Sequence, residues 1–79
     1  MSNKNMTSLD KLKPKQKGTI VKIKGSGTIH RRLLDMGLVK GSIVEIERIA
    51  PLGDPIDVVI KGYHLSLRKE EASNIIVEI

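Results

Sequence analysis

The strongest constraint in the sequence is a short helical pattern that stops at a glycine and leads directly into strands. Ile29, Leu33 and Met36 recur at helical spacing, which places them on one face of a helix. Gly37 follows, and glycine enters the left-handed conformation without a steric penalty. With Gly37 just past the helix end, Leu33 and Leu38 occupy the two positions that pack together in a Schellman motif. We therefore predict a helix that ends at this corner.

Alternation of apolar and polar residues predicts five short strands around that helix. In the first strand, Thr19, Val21 and Ile23 fall on one face and lysines fall on the other. The chain is short enough that these strands and the helix must share one core. The predicted strands cover residues 19–24, 42–50, 56–60, 63–68 and 75–79.

Two local features of the strands are also predicted. In the second strand Val44 and Ile46 share a face, whereas Ile49 would fall on the opposite one. A β-bulge near Glu47-Arg48 restores the alternation. The third and fourth strands are separated by Lys61-Gly62, a two-residue connection typical of a tight hairpin.

These elements predict a mainly β fold in a single domain. Short strands separated by glycine and proline favour a small barrel, because closure of the sheet protects its edges. We expect about five strands, with the one short helix between the first and the second. The polar segment 1–8 has no periodicity and is predicted to be a flexible tail, so the domain covers residues 9–79.

The net charge of +5 is unevenly distributed. Residues 1–30 carry seven lysines and one aspartate, whereas the remainder is close to neutral. A basic segment of this kind suits nucleic acid, an anionic membrane surface or an acidic protein, although a solvated lysine face is the simpler interpretation. Tyr63 is the only aromatic residue, which argues against the stacking of single-stranded nucleic acid.

No catalytic arrangement is recognisable. The chain has no cysteine and no phosphate-binding loop, and Ser66 beside His64 lacks a carboxylate that would orient the histidine. We therefore predict that the protein is not an enzyme. His30 and His64 are the candidate metal ligands, but neither has the spacing of a known metal site. The sequence has no apolar run as long as a membrane span and no signal-peptide pattern, and the absence of cysteine is compatible with the cytosol.

The least generic feature is a loop bracketed by prolines at residues 50–55. Leu52 is an apolar residue at its tip, where it could either anchor a partner protein or fold back over an open end of the barrel. Arg68 follows the fourth strand, where it could act as an arginine finger or pair with Glu70 or Glu71. The candidate partner-binding residues are Leu52, Gly53, Asp54, Pro55 and Arg68.

Four stretches of the chain together are similar to one protein family. The segments 9–20, 33–41, 50–55 and 65–72 resemble, in this order, the FeoA family of ferrous iron transport accessory proteins. The resemblance implies an SH3-like barrel and a cytoplasmic bacterial protein that acts with a large membrane iron permease carrying a GTPase domain. It implies no catalytic residue and no required cofactor, and it leaves open weak binding of a divalent transition metal ion.

The leading hypothesis is therefore a non-enzymatic accessory protein of ferrous iron uptake. It would act by contact with the cytoplasmic part of the permease, and so lie at the inner face of the membrane through its partner. The alternative is a small-barrel nucleic-acid-binding protein that uses its lysine-rich N-terminal half. A third hypothesis is a metal-sensing domain that binds through His30 or His64.

Overall fold

The computed structural model describes residues 5–25 and 27–79. Within them, six strands, one short 3₁₀ helix and two α-helices follow one another along the chain. The 3₁₀ helix, Leu9–Lys11, lies between the first two strands. The strands are β1 Met6–Ser8, β2 Lys17–Ile23, β3 Ile43–Ile49, β4 Ile56–Ile60, β5 Tyr63–Leu67 and β6 Ile75–Glu78. The α-helices are α1 Thr28–Asp35 and α2 Lys69–Ala72.

All six strands belong to one antiparallel sheet with the order β1-β6-β2-β3-β4-β5. The short helix α2 contacts β5 at one edge of the sheet and also contacts the 3₁₀ helix, which directly follows the strand at the other edge. The two ends of the sheet are thereby brought together around α2. The prediction of a small, mainly β barrel is confirmed. The predicted first and second strands correspond to β2 and β3, and α1 lies between them as expected.

The interior of the barrel is a single cluster of buried apolar side chains. Each strand except β1 contributes to it, and Leu33 from α1 and Ala72 from α2 close it. The inward face of β4 consists of Ile56, Val58 and Ile60, as its alternation predicts. Burial of this apolar surface is the main term that stabilises so small a domain.

The end of α1 has the predicted geometry. Gly37 has a φ of 91°, in the left-handed region. The Leu38 N–H donates to the Leu33 carbonyl at 3.1 Å, and the Gly37 N–H donates to the Leu34 carbonyl at 2.9 Å. These are the two hydrogen bonds of a Schellman motif. Leu33 and Leu38 are both fully buried, so this corner joins the helix to the core.

The bulge predicted in β3 is also present. The register of β3 against β4 shifts between Ile46 and Arg48, which leaves Glu47 exposed at the irregular position. The hairpin between β4 and β5 is confirmed as well, because Ile60 pairs with Tyr63 across the two turn residues.

The face assigned to the first predicted strand is wrong. Ile20 is the residue of β2 that is buried in the core, whereas Thr19 and Val21 are only half-buried. The pairing of β2 with β6 shifts register between Ile20 and Lys22, so Val21 occupies a bulge. After this bulge Ile23 packs against the core. An irregularity of one residue therefore reverses the alternation that the sequence suggested.

The predicted flexible tail is also wrong for part of its length. Residues 6–8 form β1, which pairs antiparallel with β6. The Ile79 N–H also donates to the Asn5 carbonyl at 2.9 Å. Residues 1–4 of the predicted tail lie outside the described residues. The fifth predicted strand thus has a further neighbour, which makes the sheet six-stranded.

The corner at Leu38 gives a prediction about stability. Leu38→Ala should lower the free energy of unfolding by about 2–5 kcal/mol, because it leaves a cavity in the core. Leu52→Ala removes the same atoms from an exposed side chain and should change it by no more than about 0.5 kcal/mol. Urea unfolding measures the free energy of both variants, provided that their m-values are equal. Equal losses of stability would contradict the assignment of Leu38 to the core and of Leu52 to an exposed loop.

Candidate functional site

The proline-bracketed loop closes on itself and projects its apolar residue into solvent. The Gly53 N–H donates to the Ala50 carbonyl at 2.7 Å, and the Ala50 N–H donates to the Pro55 carbonyl at 3.1 Å. Leu52 is 94% exposed. The alternative in which Leu52 folds back over an open end of the barrel is therefore contradicted.

The loop is attached to the start of α2. The Lys69 N–H donates to Asp54 Oδ1 at 3.1 Å. The first N–H groups of a helix have no partner within the helix, so the Asp54 carboxylate supplies one. This bond fixes the position of the loop relative to α2, although the hairpin of β4 and β5 separates the two in the sequence.

A buried carboxylate links α2 to α1. Glu71 is only 6% exposed. Its Oε1 accepts a hydrogen bond from the Arg68 N–H at 2.9 Å, and its Oε2 lies 3.2 Å from Arg32 Nε. The Glu71 side chain therefore accepts a hydrogen bond from the backbone at the start of α2 and also forms an ion pair with Arg32 of α1. The predicted pairing of the Arg68 side chain with Glu70 or Glu71 is wrong. Among the described residues neither carboxylate forms an ion pair with the Arg68 side chain, and Glu71 pairs with Arg32 instead.

A cleft of about 440 Å³ lies between the loop, α1 and the start of α2. We call it the loop cleft, and its walls include Arg32, Asp54, Pro55, Arg68 and Glu71. Within the described part of the chain, no ion pair joins the Arg68 guanidinium to a carboxylate.

The loop cleft brings together only some of the predicted site residues. Asp54, Pro55 and Arg68 line it, whereas Leu52 and Gly53 lie at the loop tip outside its walls. Sequence reasoning missed the contribution of Arg32. The position of Glu71 three residues after Arg68 is the spacing of a capping box, which could have indicated that this carboxylate serves the helix start.

The two candidate metal ligands lie on different elements. His30 is half-buried on α1, and His64 is exposed on β5 with its Nδ1 2.8 Å from Glu47 Oε1. Among residues 5–25 and 27–79, no group of three or more His, Cys, Asp or Glu side chains is placed to hold a metal ion. Metal binding through these histidines stays a prediction.

The fold and the exposed loop define a class of protein: a small SH3-like β domain with a rigid, solvent-exposed loop beside a cleft. The described residues include no helix that is long and apolar enough to cross a bilayer. Residues 7–79 match the family described as the FeoA domain. The chain belongs to the FeoA family.

Relatives place this family in ferrous iron transport. The chain is 38% identical over 71 residues to the Fe(2+) transport protein A/Fe(2+) transporter FeoB fusion protein of Porphyromonas gingivalis. The match covers 90% of this chain but only 8% of the relative, so the chain spans a small part of that protein's length.

Solved structures of similar proteins share the fold. A FeoA-like protein from Clostridium acetobutylicum is 39% identical with a TM-score of 0.88, covering 100% of this chain and 90% of that chain. FeoA from Stenotrophomonas maltophilia, complexed with zinc, is 27% identical with a TM-score of 0.79, covering 90% and 88%. That protein is described as a procaryotic SH3 domain protein and a candidate activating factor of bacterial ferrous iron transport. The expected SH3-like class is thereby confirmed.

The buried carboxylate gives a second prediction. Glu71→Ala should lower the free energy of unfolding by about 1.5–3 kcal/mol, because it removes hydrogen bonds to a buried charged group. Glu70→Ala is a matched control on the same helix, since Ser73 and Asn74 bond to the Glu70 backbone carbonyl rather than to its side chain. Thermal or urea unfolding measures the difference. Equal stabilities of the two variants would show that the Glu71 network does not stabilise the fold.

Proposed function

We propose that this chain is a non-enzymatic accessory protein of ferrous iron uptake. It acts by contact with the cytoplasmic part of a GTPase-linked membrane iron permease, which holds it at the inner face of the membrane. Support comes from the fusion relative, in which Fe(2+) transport protein A and the transporter FeoB form one polypeptide. Fusion of two domains raises their effective concentration, which is useful when the domains act on one another.

The observation that carries this proposal is the exposure of Leu52. A leucine at the tip of a loop with internal hydrogen bonds and a bond to α2 is fixed before any partner arrives. Such an anchor loses little conformational entropy on binding, and apolar anchors account for much of the affinity of protein interfaces. The neighbouring loop cleft offers Arg68 for a polar contact beside the anchor.

A non-enzymatic role is supported by the residues that the sequence lacks. It has no cysteine, and it has no glycine-rich loop ending in lysine and serine or threonine for a nucleotide phosphate. The candidate role of S. maltophilia FeoA as an activating factor is of the same kind. The nucleic-acid hypothesis has no comparable support from the relatives described above, and the metal-sensing hypothesis has only the zinc complex of S. maltophilia FeoA.

The test is binding to the purified cytoplasmic domain of the permease that accompanies this chain in its organism. Leu52→Glu should weaken binding by about tenfold or more, because it places a charge in an apolar contact. Calorimetric titration measures the affinity, and an unfolding curve confirms that the variant remains folded.

Ile43→Glu is the matched control. Ile43 is also an exposed apolar residue, at 60%, but it lies at the opposite end of β3 from the loop, about 20 Å away along the strand. It should leave the affinity within about twofold of the wild-type value. Equal weakening by both variants would remove Leu52 as the specific anchor, and a wild-type chain that does not bind the domain would overturn the proposed function.

A further inference from the structure

A second surface depression lies between β2 and α1, apart from the loop cleft. It has a volume of about 230 Å³. Three of its lining residues are apolar and three carry basic groups, and none is acidic. We call this depression the basic groove, and its residues are Val21, Lys22, Ile23, His30, Leu34 and Lys40.

The apolar floor of the basic groove follows from local structure. Val21 occupies the bulge in β2, which turns it out of the regular pairing with β6 and leaves it half-buried. Leu34 follows the fully buried Leu33 on α1, so it points away from the core and is 43% exposed. Ile43 extends this apolar surface, because it is exposed and pairs with Thr19 of β2 beside the bulge.

The rim of the basic groove is cationic and unneutralised. Lys22 and Lys40 are exposed, and within the described residues no ion pair ties either of them to a carboxylate. Lys22 lies on β2 and Lys40 lies in the turn after α1. His30 adds a further polar nitrogen from α1. The surface therefore attracts anions and also offers apolar contact.

The size and chemistry of the basic groove select among anionic occupants. Its volume is below the range of pockets that enclose small molecules, which favours contact with a surface over an enclosed ligand. Single-stranded nucleic acid stacks its bases on aromatic rings, but this groove has an aliphatic floor and no aromatic residue. Cationic side chains around exposed aliphatic residues are the arrangement that binds the interface of an anionic bilayer.

We propose that the basic groove binds the anionic phospholipid surface of a membrane. Lys22 and Lys40 contact lipid phosphates, while Leu34 and Ile43 reach the boundary of the acyl chains. This contact accounts for part of the basic N-terminal half, which binding through the loop does not use. It requires no contact with a permease, so it stands or fails separately from the proposed function.

The experiment is flotation of the full-length chain with vesicles at low salt. One vesicle population is phosphatidylcholine alone, and the other is an equimolar mixture of phosphatidylcholine and phosphatidylglycerol. The wild-type chain should float with the anionic vesicles only, and physiological salt should reduce its binding. Each lysine near an anionic surface changes partitioning by about fivefold, so Lys22→Glu/Lys40→Glu should reduce it by more than about tenfold.

A second double variant distinguishes the effect of the groove on vesicle binding from the effect of net charge. Lys11→Glu/Lys13→Glu changes the total charge equally, and both lysines are exposed but do not line the groove. It should retain most of the vesicle binding. Leu34→Ser should reduce binding without any change in charge, which tests the apolar floor.

Several results would overturn the proposal. One is the absence of wild-type binding to anionic vesicles at low salt, and another is an equal loss in the two double variants. A third is that the wild-type chain does not bind vesicles, whereas Lys22→Glu/Lys40→Glu abolishes its binding to the permease domain or to duplex DNA. That result would assign the groove to a protein or to nucleic acid instead.

Discussion

Every element of this domain depends on one shared apolar core. A chain of 79 residues has too few apolar side chains for two separate layers, so the single sheet must curve until its inner face is closed. The two α-helices add to this core from outside the sheet, and each contributes a fully buried residue, Leu33 or Ala72. Loops outside this core are free to carry exposed apolar residues without weakening it.

Features set by local chemistry could be predicted from the sequence. The helix stop follows from the conformational freedom of Gly37, and the bulge near Glu47 follows from a break in alternation within one strand. The hairpin at Lys61-Gly62 follows from a two-residue connection that includes a glycine. In each case the information lies within a few residues of the feature.

Features set by distant partners could not be predicted in the same way. Ile20 faces the core because β6 pairs with β2 through a bulge, and the sequence of β2 alone does not decide between the two faces, since Ile20 and Val21 are both apolar. Likewise β1 forms because β6 offers it an edge. The candidate site shows the same limit. The exposed loop was predicted from its prolines, but the ion pair of Arg32 with Glu71 joins helices that only the closed barrel brings together.

The position of α1 has a further consequence. On one side it supplies Arg32 to the loop cleft, and on the other it supplies His30 and Leu34 to the basic groove. A helix of eight residues with a fixed C-terminal corner responds as one body. Any displacement of α1 by an occupant on one side changes the geometry of the other side, and thermodynamic linkage makes this effect on affinity equal in both directions. A barrel with one such helix can thus couple two surfaces without a hinge or a second domain.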